Sequence, residues 1–581
     1  MKRPISRIVA IACMFVFCLA LGLLTGCSGA PDTSGSEAAE QEATHEAEAD
    51  VADVDVQTSG TVQLFEPADG SAKTRIRVAS GSENKEAARA IEYAVGKTGV
   101  ALEMHYMGSL DIMDVLEAGG EDYDAVWPAS SMWITMGDTH HIVRDAQSTS
   151  TTPVVFGIAK SKAIELGWAD EDGETTSPTT AEILAAVQES KLTFAMTSAT
   201  QSNSGASAYL AFLTALSGTD GPLTAEDLAN GRLTEQVASL LSGVDRSSGS
   251  SDWLKEMVVA DPDTHQAMVN YESLVSQANR ELEEAGHEPM VVVYPADGIA
   301  VSDSPLAYVD HGQGEQVEAA FSAIQQALAD DTATLELERV GRRCGLGGKV
   351  VHADDDEVAA AFNPAWGIVP DASVLKSIPL PAGEVISQAL TLYQTGLKKP
   401  SYTLWVVDYS GSMLGAGKEG VVAGLEQALD PTLAAEALIQ PNEGDVNVLI
   451  PFTHVVDSPI TANGSDTAAL LDYARSREAI GGTDMYSGLS TALDLARQAV
   501  ADGGYTVAIV LMTDGQSDTY ARDEFVSAYE QAGVDVPIFS IMFGEADPTQ
   551  LDELTTLTNG RTFDGREGDL ADVFRQVKGY N

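Results

Sequence analysis

The sequence places three oxygen-bearing side chains at alternate positions in one short loop. Asp408, Ser410 and Ser412 directly follow the apolar run of residues 403–407. A hard cation such as Mg²⁺ takes about six oxygen ligands in near-octahedral order, and it commonly keeps water or accepts an oxygen from a partner. The spacing therefore indicates part of a metal site at the end of a strand.

Two later segments offer further oxygen atoms. Thr483 stands in Gly481-Gly482-Thr483-Asp484, just before a helical pattern, and Asp514 follows the apolar run of residues 507–512. Ligands of parallel α/β sheets bind at the carboxyl ends of the strands, so loops that follow different strands can converge there. The alternative is that the Asp and Ser of the first loop only cap a helix. Three segments in the right order favour the metal site.

Residues 401–581 resemble a von Willebrand factor type A domain. Five residues match the metal-ion-dependent adhesion site of that family: Asp408, Ser410, Ser412, Thr483 and Asp514. The resemblance implies a doubly wound, Rossmann-like α/β fold that binds Mg²⁺, or Mn²⁺ or Ca²⁺ in its place. It further implies that the two serines and the threonine are near ligands, and that the two aspartates bind directly or through water. A carboxylate of a partner protein would take the open coordination position.

The middle of the chain, residues 61–345, alternates short strand patterns with helical patterns, which is typical of an α/β domain with mostly parallel sheets. The order of these pieces resembles the extracellular solute-binding proteins of bacteria, which have two lobes with the ligand between them. In that two-lobed fold, three loops after successive strands would face the cleft and offer hydroxyls and helix-start N–H groups to a polar or anionic solute. Their residues are Ser80, Ser82, Ser130, Ser131, Ser202, Asn203 and Ser204.

The same serines are also typical of turns and helix caps, and both interpretations stay open for these loops. Tyr271 and Tyr294 could stack on a solute, although packing in a core is the commoner use of an isolated tyrosine. Cys344 is expected to be a packed small residue without chemistry.

The amino terminus indicates export. Lys2 and Arg3 precede an apolar stretch from residue 8 to residue 24, as in a signal peptide. The stretch ends in Leu24-Thr25-Gly26-Cys27, which resembles a bacterial lipobox and implies that residues 1–26 are removed and that Cys27 carries a lipid. An uncleaved membrane anchor is the alternative. Both place the bulk of the chain outside the cytoplasm.

Two segments are predicted to connect these parts. Residues 27–60 contain nine acidic residues between positions 32 and 55 and no Lys or Arg, so a disordered acidic tether is expected there. Residues 346–400 carry prolines near both ends and one helical pattern over residues 383–395, which predicts a stiff connector.

Charge and motifs exclude several functions. With 33 Lys plus Arg against 87 Asp plus Glu, the formal charge of −54 repels nucleic acid. No GxSxG, HExxH or Walker motif occurs, so an enzyme is not expected. The main hypothesis is a surface-anchored lipoprotein that binds a protein or matrix partner through a divalent cation. The alternative is a solute receptor of a transport or sensing system whose type A domain docks accessory proteins.

Overall fold

The computed structural model describes residues 52–579, with gaps at residues 60, 515, 545–547 and 567–569. The predicted signal peptide, the predicted lipidation residue Cys27 and most of the predicted tether lie outside the described residues. The described residues group into one compact unit. None of the described helices is long and apolar enough to cross a membrane.

Two α/β lobes come first along the chain. Their strands are β1 (Val54–Ser59), β2 (Val62–Pro67), β3 (Arg75–Gly81), β4 (Ala101–Met107), β5 (Ala125–Trp127), β6 (Val143–Ser148), β7 (Thr152–Ala159), β8 (Phe194–Thr197), β9 (Val244–Ser248), β10 (Ala267–Tyr271), β11 (Met290–Val293), β12 (Val301–Ser302) and β13 (Pro305–Val309). Their helices are α1 (Ala88–Thr98), α2 (Ser109–Glu117), α3 (Ser131–Gly137), α4 (Lys160–Glu165), α5 (Thr180–Gln188), α6 (Asn203–Ser217), α7 (Ala225–Leu228), α8 (Gly231–Leu241), α9 (Ser251–Ala260), α10 (Glu272–Ala285), α11 (Glu315–Leu328) and α12 (Asp331–Arg339).

Each lobe is built on its own mixed sheet. Lobe 1 has the strand order β1-β2-β4-β3-β5-β13-β6, and lobe 2 has the order β11-β7-β10-β8-β9 with β12 also paired to β7. The chain crosses from lobe 1 to lobe 2 after β6 and returns before β13. This arrangement confirms the predicted two-lobed α/β fold.

An interior strand of lobe 2, β7, shows why the apolar runs form these sheets. Every residue of β7 is buried, which is typical of a strand covered on both faces. Phe156 packs with Phe212 of α6 on one face, while Val155 shares a core cluster with Val275 of α10 on the other. Side chains alternate between the two faces of a strand and recur about every 3.6 residues on one face of a helix, so the apolar faces of strand and helices can pack as layers.

The end of the predicted tether was wrong. Strand β1 pairs antiparallel with β2 over its whole length, from Val54 opposite Pro67 to Ser59 opposite Val62. The acidic composition of this segment favoured a tether. It outweighed two strand signals, the alternation of Val54 and Val56 with polar residues and the turn-forming Ser-Gly that follows them. An ordered edge strand therefore begins at least six residues before the predicted boundary at residue 60.

The predicted connector is part of lobe 2. It contains α13 (Asp356–Ala361) and α14 (Gly383–Leu392), and a π-helical turn (Tyr393–Leu397) continues the second helix. Val358 and Trp366 are buried in one core cluster of lobe 2, and Leu390 and Tyr393 are buried in another. Prolines at the ends suggested a joint between domains, but the apolar faces between them pack on the lobe.

The carboxy-terminal domain is a third α/β layer structure. Its strands are β14 (Ser401–Asp408), β15 (Val446–Phe452), β16 (Ile460–Asn463), β17 (Thr506–Thr513), β18 (Ile538–Met542) and β19 (Arg561–Asp564). Its helices are α15 (Ala416–Leu429), α16 (Pro431–Glu436), α17 (Ala468–Ser476), α18 (Met485–Asp502), α19 (Arg522–Ala532), α20 (Pro548–Leu557) and α21 (Leu570–Gly579).

The sheet order β16-β15-β14-β17-β18-β19 is parallel except for the antiparallel edge strand β16. Helices α15, α17 and α21 cover one face, and α18, α19 and α20 cover the other. The domain is thus doubly wound, as predicted.

Candidate metal site and interlobe cleft

The candidate metal site lies at the carboxyl edge of the carboxy-terminal sheet. Asp408 is the last residue of β14, and Asp514 follows the last residue of the neighbouring parallel strand β17. The strand order reverses at β14, because the chain places β15 on one side of it and β17 on the other. A reversal of this kind opens a crevice at the strand ends, where ligands of open α/β sheets bind.

The side chains at this edge form a chain of short contacts. Asp408 is almost fully buried, and its carboxylate accepts hydrogen bonds of 2.7 Å from the backbone N–H of Ser410 and from the Thr513 hydroxyl. The Ser410 and Ser412 hydroxyl oxygens are 3.0 Å apart. The Ser412 hydroxyl donates to Oδ1 of Asp514 over 3.0 Å.

These spacings fit a Mg²⁺ ligand shell. Ligand oxygens at the usual metal distance of about 2.1 Å on adjacent vertices of an octahedron are about 3 Å apart. The two contacts of Ser412, to Ser410 and to Asp514, both have that length. Hydroxyls that hydrogen-bond to one another and to a carboxylate can therefore turn their lone pairs toward one cation with little movement of the backbone.

The loop that carries Thr483 is fixed against the first loop. The backbone N–H of Gly411 donates to the carbonyl of Gly481 over 3.0 Å. Gly481 has a φ of +92°, and a Cβ there would lie 2.8 Å from Nδ1 of His454, so the position requires glycine. Thr483 is half-buried, and its hydroxyl makes no hydrogen bond with any residue that the structure describes, which leaves it available as a ligand.

Neighbouring residues of this loop serve different purposes. The Asp484 carboxylate accepts from the backbone N–H of Ser487 and caps helix α18, so it is a structural acid. The Thr483 carbonyl accepts from the N–H of Asp518 over 3.0 Å, which joins a further loop to the site.

Electrostatics also favour a cation at this edge. Burial raises the pKa of Asp408 to about 6, against the lowering effect of its hydrogen bonds with Thr513 and Ser410. Burial likewise raises the pKa of Asp514. A nearby cation would stabilise both carboxylates in their charged form. Among the described residues, no cluster of three or more His, Cys, Asp or Glu side chains is placed to hold a metal. The candidate site at this edge is not such a cluster, because three of its five side chains are hydroxyls.

Exposed apolar side chains surround the site, and sequence reasoning missed them. They stand on four different loops at the same edge of the sheet, with exposed fractions of 74% for Leu414, 53% for Val455, 55% for Ile480 and 71% for Tyr520. The only sequence signal was their position, since each is a large residue within a few positions of a predicted ligand loop or strand end; their exposure is evident only in the structure.

The polar groups of the interlobe loops are mostly hydrogen-bonded to other groups of the protein. Ser80 is fully buried, and its hydroxyl accepts from Nδ2 of Asn84, which also donates to the carbonyl of Trp127. Ser130 accepts from the N–H of Met132 and caps α3, while the N–H of Ser131 donates to the Asp303 carboxylate. Ser82 is half-buried and lines a cavity described below.

The third loop joins the two lobes directly. Asn203 at the start of α6 accepts a 2.7 Å hydrogen bond from the indole N–H of Trp133 in lobe 1. Its Nδ2 donates to the Tyr271 hydroxyl and to Ser302. Ser202 and Ser204 both contact the Ser251 hydroxyl, at 3.0 and 2.7 Å.

The lobes are thus closed on one another, and these polar groups are paired within the protein. Solute binding by the seven loop residues stays a prediction. Tyr271 and Tyr294 are both buried in core clusters.

Two consecutive arginines at the hinge were also missed. Arg342 bonds to Asn84, Glu86 and the carbonyl of Glu83 in lobe 1. Arg343 forms a two-point ion pair with Glu272 of lobe 2, at 2.7 and 2.9 Å. Both guanidinium groups are buried, so the pair fastens the third crossing of the chain to each lobe. The signal was an Arg-Arg pair in a chain poor in basic residues.

Two family models match the chain. The model for bacterial extracellular solute-binding proteins matches residues 76–334, and the model for the von Willebrand factor type A domain matches residues 404–563. The chain combines a solute-binding domain with a type A domain. Together with the sheet topology, these matches confirm both predicted resemblances. No curated protein matches the chain.

Solved structures with similar folds include proteins of both kinds. The periplasmic binding protein AfuA from Actinobacillus pleuropneumoniae, with fructose-6-phosphate bound, is 12% identical, with a TM-score of 0.41 over 55% of this chain and 98% of its own. The sulfate-binding protein SubI from Mycobacterium tuberculosis is 18% identical, with a TM-score of 0.36 over 53% of this chain and 93% of its own. A von Willebrand factor type A protein from Catenulispora acidiphila is 18% identical, with a TM-score of 0.26 over 32% of this chain and 43% of its own.

The family of the first domain has a consequence for location. An extracellular solute-binding domain implies that this part of the protein acts outside the cytoplasm. Solute-binding and type A domains are generally not enzymes; that this chain is not an enzyme stays a prediction.

Proposed function

We propose that the type A domain binds a partner protein through a divalent cation, Mg²⁺ in the first place, held by Asp408, Ser410, Ser412, Thr483 and Asp514. The observation that carries the proposal is the pair of 3.0 Å contacts of Ser412, to the Ser410 hydroxyl and the Asp514 carboxylate. They match the spacing of adjacent ligands around such an ion.

The chemistry of this donor set suits recognition of a carboxylate. Three of the five ligands are neutral hydroxyls, so the bound cation would keep enough positive charge to accept an acidic side chain of the partner. Asp408 also holds the first loop in place, because its carboxylate accepts hydrogen bonds from the Ser410 N–H and from the Thr513 hydroxyl.

The apolar rim favours a protein over a small anion. Leu414, Val455, Ile480 and Tyr520 are more than half exposed on the loops around the site. Exposed apolar groups clustered beside a polar centre are typical of protein interaction surfaces. A partner with one acidic residue flanked by apolar side chains would cover this rim and reach the cation together.

The first experiment measures the metal with Mn²⁺ as a paramagnetic probe. The full-length chain is expected to remove one equivalent of free Mn²⁺ from the electron paramagnetic resonance signal, and Ser410→Ala is expected to weaken that binding at least tenfold. Ser465→Ala is the matched control, because Ser465 is an exposed serine after β16, at the opposite end of the sheet. Equal Mn²⁺ binding by wild type and Ser410→Ala overturns the metal site.

The second experiment tests the partner. The immobilised chain is exposed to extracellular proteins of its natural surroundings in Mg²⁺ or in EDTA, and each captured protein is then purified and titrated singly. We expect binding that EDTA abolishes, that Mg²⁺ restores, and that Ser410→Ala loses while Ser465→Ala keeps it. A partner that binds equally well in EDTA contradicts the proposal.

The second candidate function is that of a solute receptor whose type A domain docks accessory proteins. It is favoured by a cavity of about 480 Å³ at the mouth of the interlobe cleft, which has the volume of a small-molecule site. Thermal unfolding with amino acids, sugars, phosphate and sulfate tests it. A shift with one class supports a receptor, and no shift with any class rejects it.

We retain the lipid anchor on Cys27 as part of the proposal. The residue lies outside the described part of the chain, so the anchor depends on the sequence pattern Leu24-Thr25-Gly26-Cys27. Cys27→Ser is expected to release the protein from membranes and to abolish labelling by a fatty-acid analogue. Membrane retention with unchanged labelling would contradict the anchor.

A further inference from the structure

The cavity at the cleft mouth has three walls. Lobe 1 contributes Lys85 and Tyr106, lobe 2 contributes Asp252 and Glu256 of α9, and the last helix of the type A domain, α21, contributes Arg575. Volumes of about 300–1,000 Å³ hold a small ligand and bury most of its surface. The seven loop residues predicted from the sequence lie deeper between the lobes, and of these only Ser82 reaches the cavity.

The third wall is fastened to lobe 2. The Ser247 hydroxyl donates to the carbonyl of Gly579, the last residue of α21, over 2.9 Å. Arg246, which is nearly fully buried, donates to the carbonyl of Asn559 and forms an ion pair of 3.0 Å with Asp535. The side-chain amide of Gln201 donates to the carbonyl of Arg575. Lobe 2 and the type A domain therefore move together while these bonds persist.

The same helix also reaches lobe 1. Nη1 of Arg575 lies 2.6 Å from Asp111 and 3.1 Å from Asp114, both on α2. Helix α21 thus contacts both lobes at the cleft mouth.

Opposite charges face the cavity from its two other walls. In lobe 1, Nζ of Lys85 lies 5.5 Å from the centre of the Tyr106 ring and makes no ion pair with a described residue. In lobe 2, Asp252 and Glu256 are one helical turn apart on α9, and Glu256 makes no ion pair within the described part of the chain either.

The acidic pair carries an electrostatic cost that a cationic group would relieve. Like charges four residues apart on a helix repel. Burial and the charge of Asp252 raise the pKa of Glu256, and the charges of Lys255 and Arg561 only partly offset this rise. An ammonium group placed between the two carboxylates would stabilise their charged forms.

We propose that this three-walled cavity binds a small zwitterionic solute, an amino acid or a dipeptide, with its carboxylate toward Lys85 and its ammonium group toward Asp252 and Glu256. The inference depends on the receptor function proposed above and names its solute class. Asp252 already has Lys255 at 3.7 Å, so a neutral sugar would leave Lys85 and Glu256 without an ion-pair partner among the described residues, and a phosphate or sulfate would leave Glu256 without one. Tyr106 and Trp253, which also line the cavity, supply apolar contact for a side chain.

The placement of α21 couples the solute to the type A domain. A solute that contacts both lobes under α21 stabilises the closed lobes and, through the Arg575 ion pairs, the docked helix. Linkage makes this coupling reciprocal: the factor by which the solute favours docking of α21 is also the factor by which undocking of α21 lowers the affinity for the solute.

The test titrates the full-length chain by calorimetry with each of the twenty amino acids and with glycylglycine and alanylalanine. Lactate, methylamine, glucose, phosphate and sulfate are the comparison ligands. We expect at least one zwitterion to bind with micromolar affinity. We expect Lys85→Ala and Glu256→Gln each to weaken it at least tenfold. The matched controls are Lys73→Ala and Glu284→Gln, which change exposed residues of the two lobes away from the cavity and are expected to leave the affinity unchanged.

The outcomes separate the solute class from the receptor function. Binding of a sugar or an inorganic anion without any zwitterion overturns the inference and leaves the receptor function standing. No binding by any ligand overturns both. A zwitterion that binds Lys85→Ala and Glu256→Gln as tightly as wild type places its site elsewhere and also overturns the inference.

A further variant tests the coupling. Arg575→Ala is expected to weaken the zwitterion and to speed its dissociation, because the cleft mouth loses the link to lobe 1. Its far-ultraviolet circular dichroism and unfolding midpoint, measured alongside, establish that it folds. Dissociation at the wild-type rate from the folded variant means that α21 is not a wall of the solute site.

Discussion

The metal-site loops and the interlobe loops contain the same residue types in the same position after strands. They differ in whether their polar groups are buried and paired within the protein or lie at ligand spacing near an exposed edge. Between the lobes, Ser80, Ser202 and Ser204 are buried and hydrogen-bonded to other side chains. At the edge of the type A sheet, the hydroxyl of Thr483 has no partner among the described residues, and Ser410 and Ser412 lie at ligand spacing.

The difference shows that hydroxyl-rich loops do not identify a site by themselves. Loops on two lobes that close on one another can find partners across the gap, as Asn203 finds Trp133. Loops on adjacent strands of one sheet are held at a fixed spacing, as β14 and β17 hold Asp408 and Asp514. A site remains where the frame holds the polar groups at ligand spacing and leaves one of them, the Thr483 hydroxyl, without a partner among the described residues.

The largest expected effect concerns the saturated region. Asn203→Ala removes the partner of the Trp133 indole and contacts of Tyr271 and Ser302. Each buried polar group left without a partner costs roughly 1–3 kcal/mol, so we expect a loss of about 3 kcal/mol or more in stability, measured by urea unfolding. Ser412→Ala in metal-free buffer is expected to lose less than about 1 kcal/mol. Equal losses would contradict the comparison.

The next effect concerns the candidate metal site. Mg²⁺ at one hundred times its dissociation constant is expected to stabilise the type A domain by about 2.7 kcal/mol, and Asp514→Asn is expected to remove most of this gain. The measurement is the unfolding midpoint in EDTA and in Mg²⁺. Ser202→Ala, in the interlobe region, is the control and should keep the full gain. Loss of the gain in Ser202→Ala would mean that the two regions are not independent.

A pH dependence distinguishes the acids of the two regions. Burial raises the pKa of Glu83 at the cleft from 4.5 to about 7. Between these values the folded protein keeps a proton that the unfolded chain has released, so the free energy of unfolding falls as the pH rises through this window. Glu83→Gln is expected to remove that slope and to be more stable than wild type at pH 8 by about 2 kcal/mol.

The control for this prediction compares the pH slope with and without metal. The slope from Glu83 should be the same in EDTA and in Mg²⁺, because the cation is expected only at the type A edge. A pH slope that Glu83→Gln retains would assign the titration to another group.

The smallest effect tests a single cap. The Ser130 hydroxyl accepts from the N–H of Met132 at the start of α3, and replacing an N-cap serine by alanine costs about 1 kcal/mol. Ser130→Ala is therefore expected to lower the unfolding midpoint slightly, while Ser130→Asp, which can also cap, should restore it. A cap variant that changes solute affinity with unchanged stability would instead make Ser130 a ligand residue.

Much of the fold followed from periodicity. Continuous apolar runs such as β7 and β17 are strands covered on both faces, and the alternation of strands with helices gave the α/β class. The connector was misjudged because proline positions carry no information about what the intervening helices pack against. The buried apolar faces around Trp366 and Leu390 became evident only in contact with lobe 2.

The two candidate sites were predictable to different degrees. The five residues of the candidate metal site form a fixed pattern, since each lies in a loop that follows a strand or precedes a helix at the same sheet edge. The apolar rim depends on exposure, which a sequence does not report for single residues such as Leu414. The hinge arginines Arg342 and Arg343 depend on which lobe each guanidinium reaches, a choice made by side-chain direction after the lobes are folded.

The sequence by itself determined the order of the domains, the class of each fold and the candidate ligand pattern at residues 408–412, 483 and 514, because these depend on local spacing and on strand ends that a parallel sheet must bring together. Only the tertiary structure decided which hydroxyls are satisfied and which remain available. It also decided that the last helix of the type A domain contacts both lobes at the mouth of the cleft. The physical reason is that hydrogen-bond saturation, burial and ion pairing depend on groups distant in sequence, as Arg575 and Asp111 are, and these meet only when the lobes and the type A domain pack together.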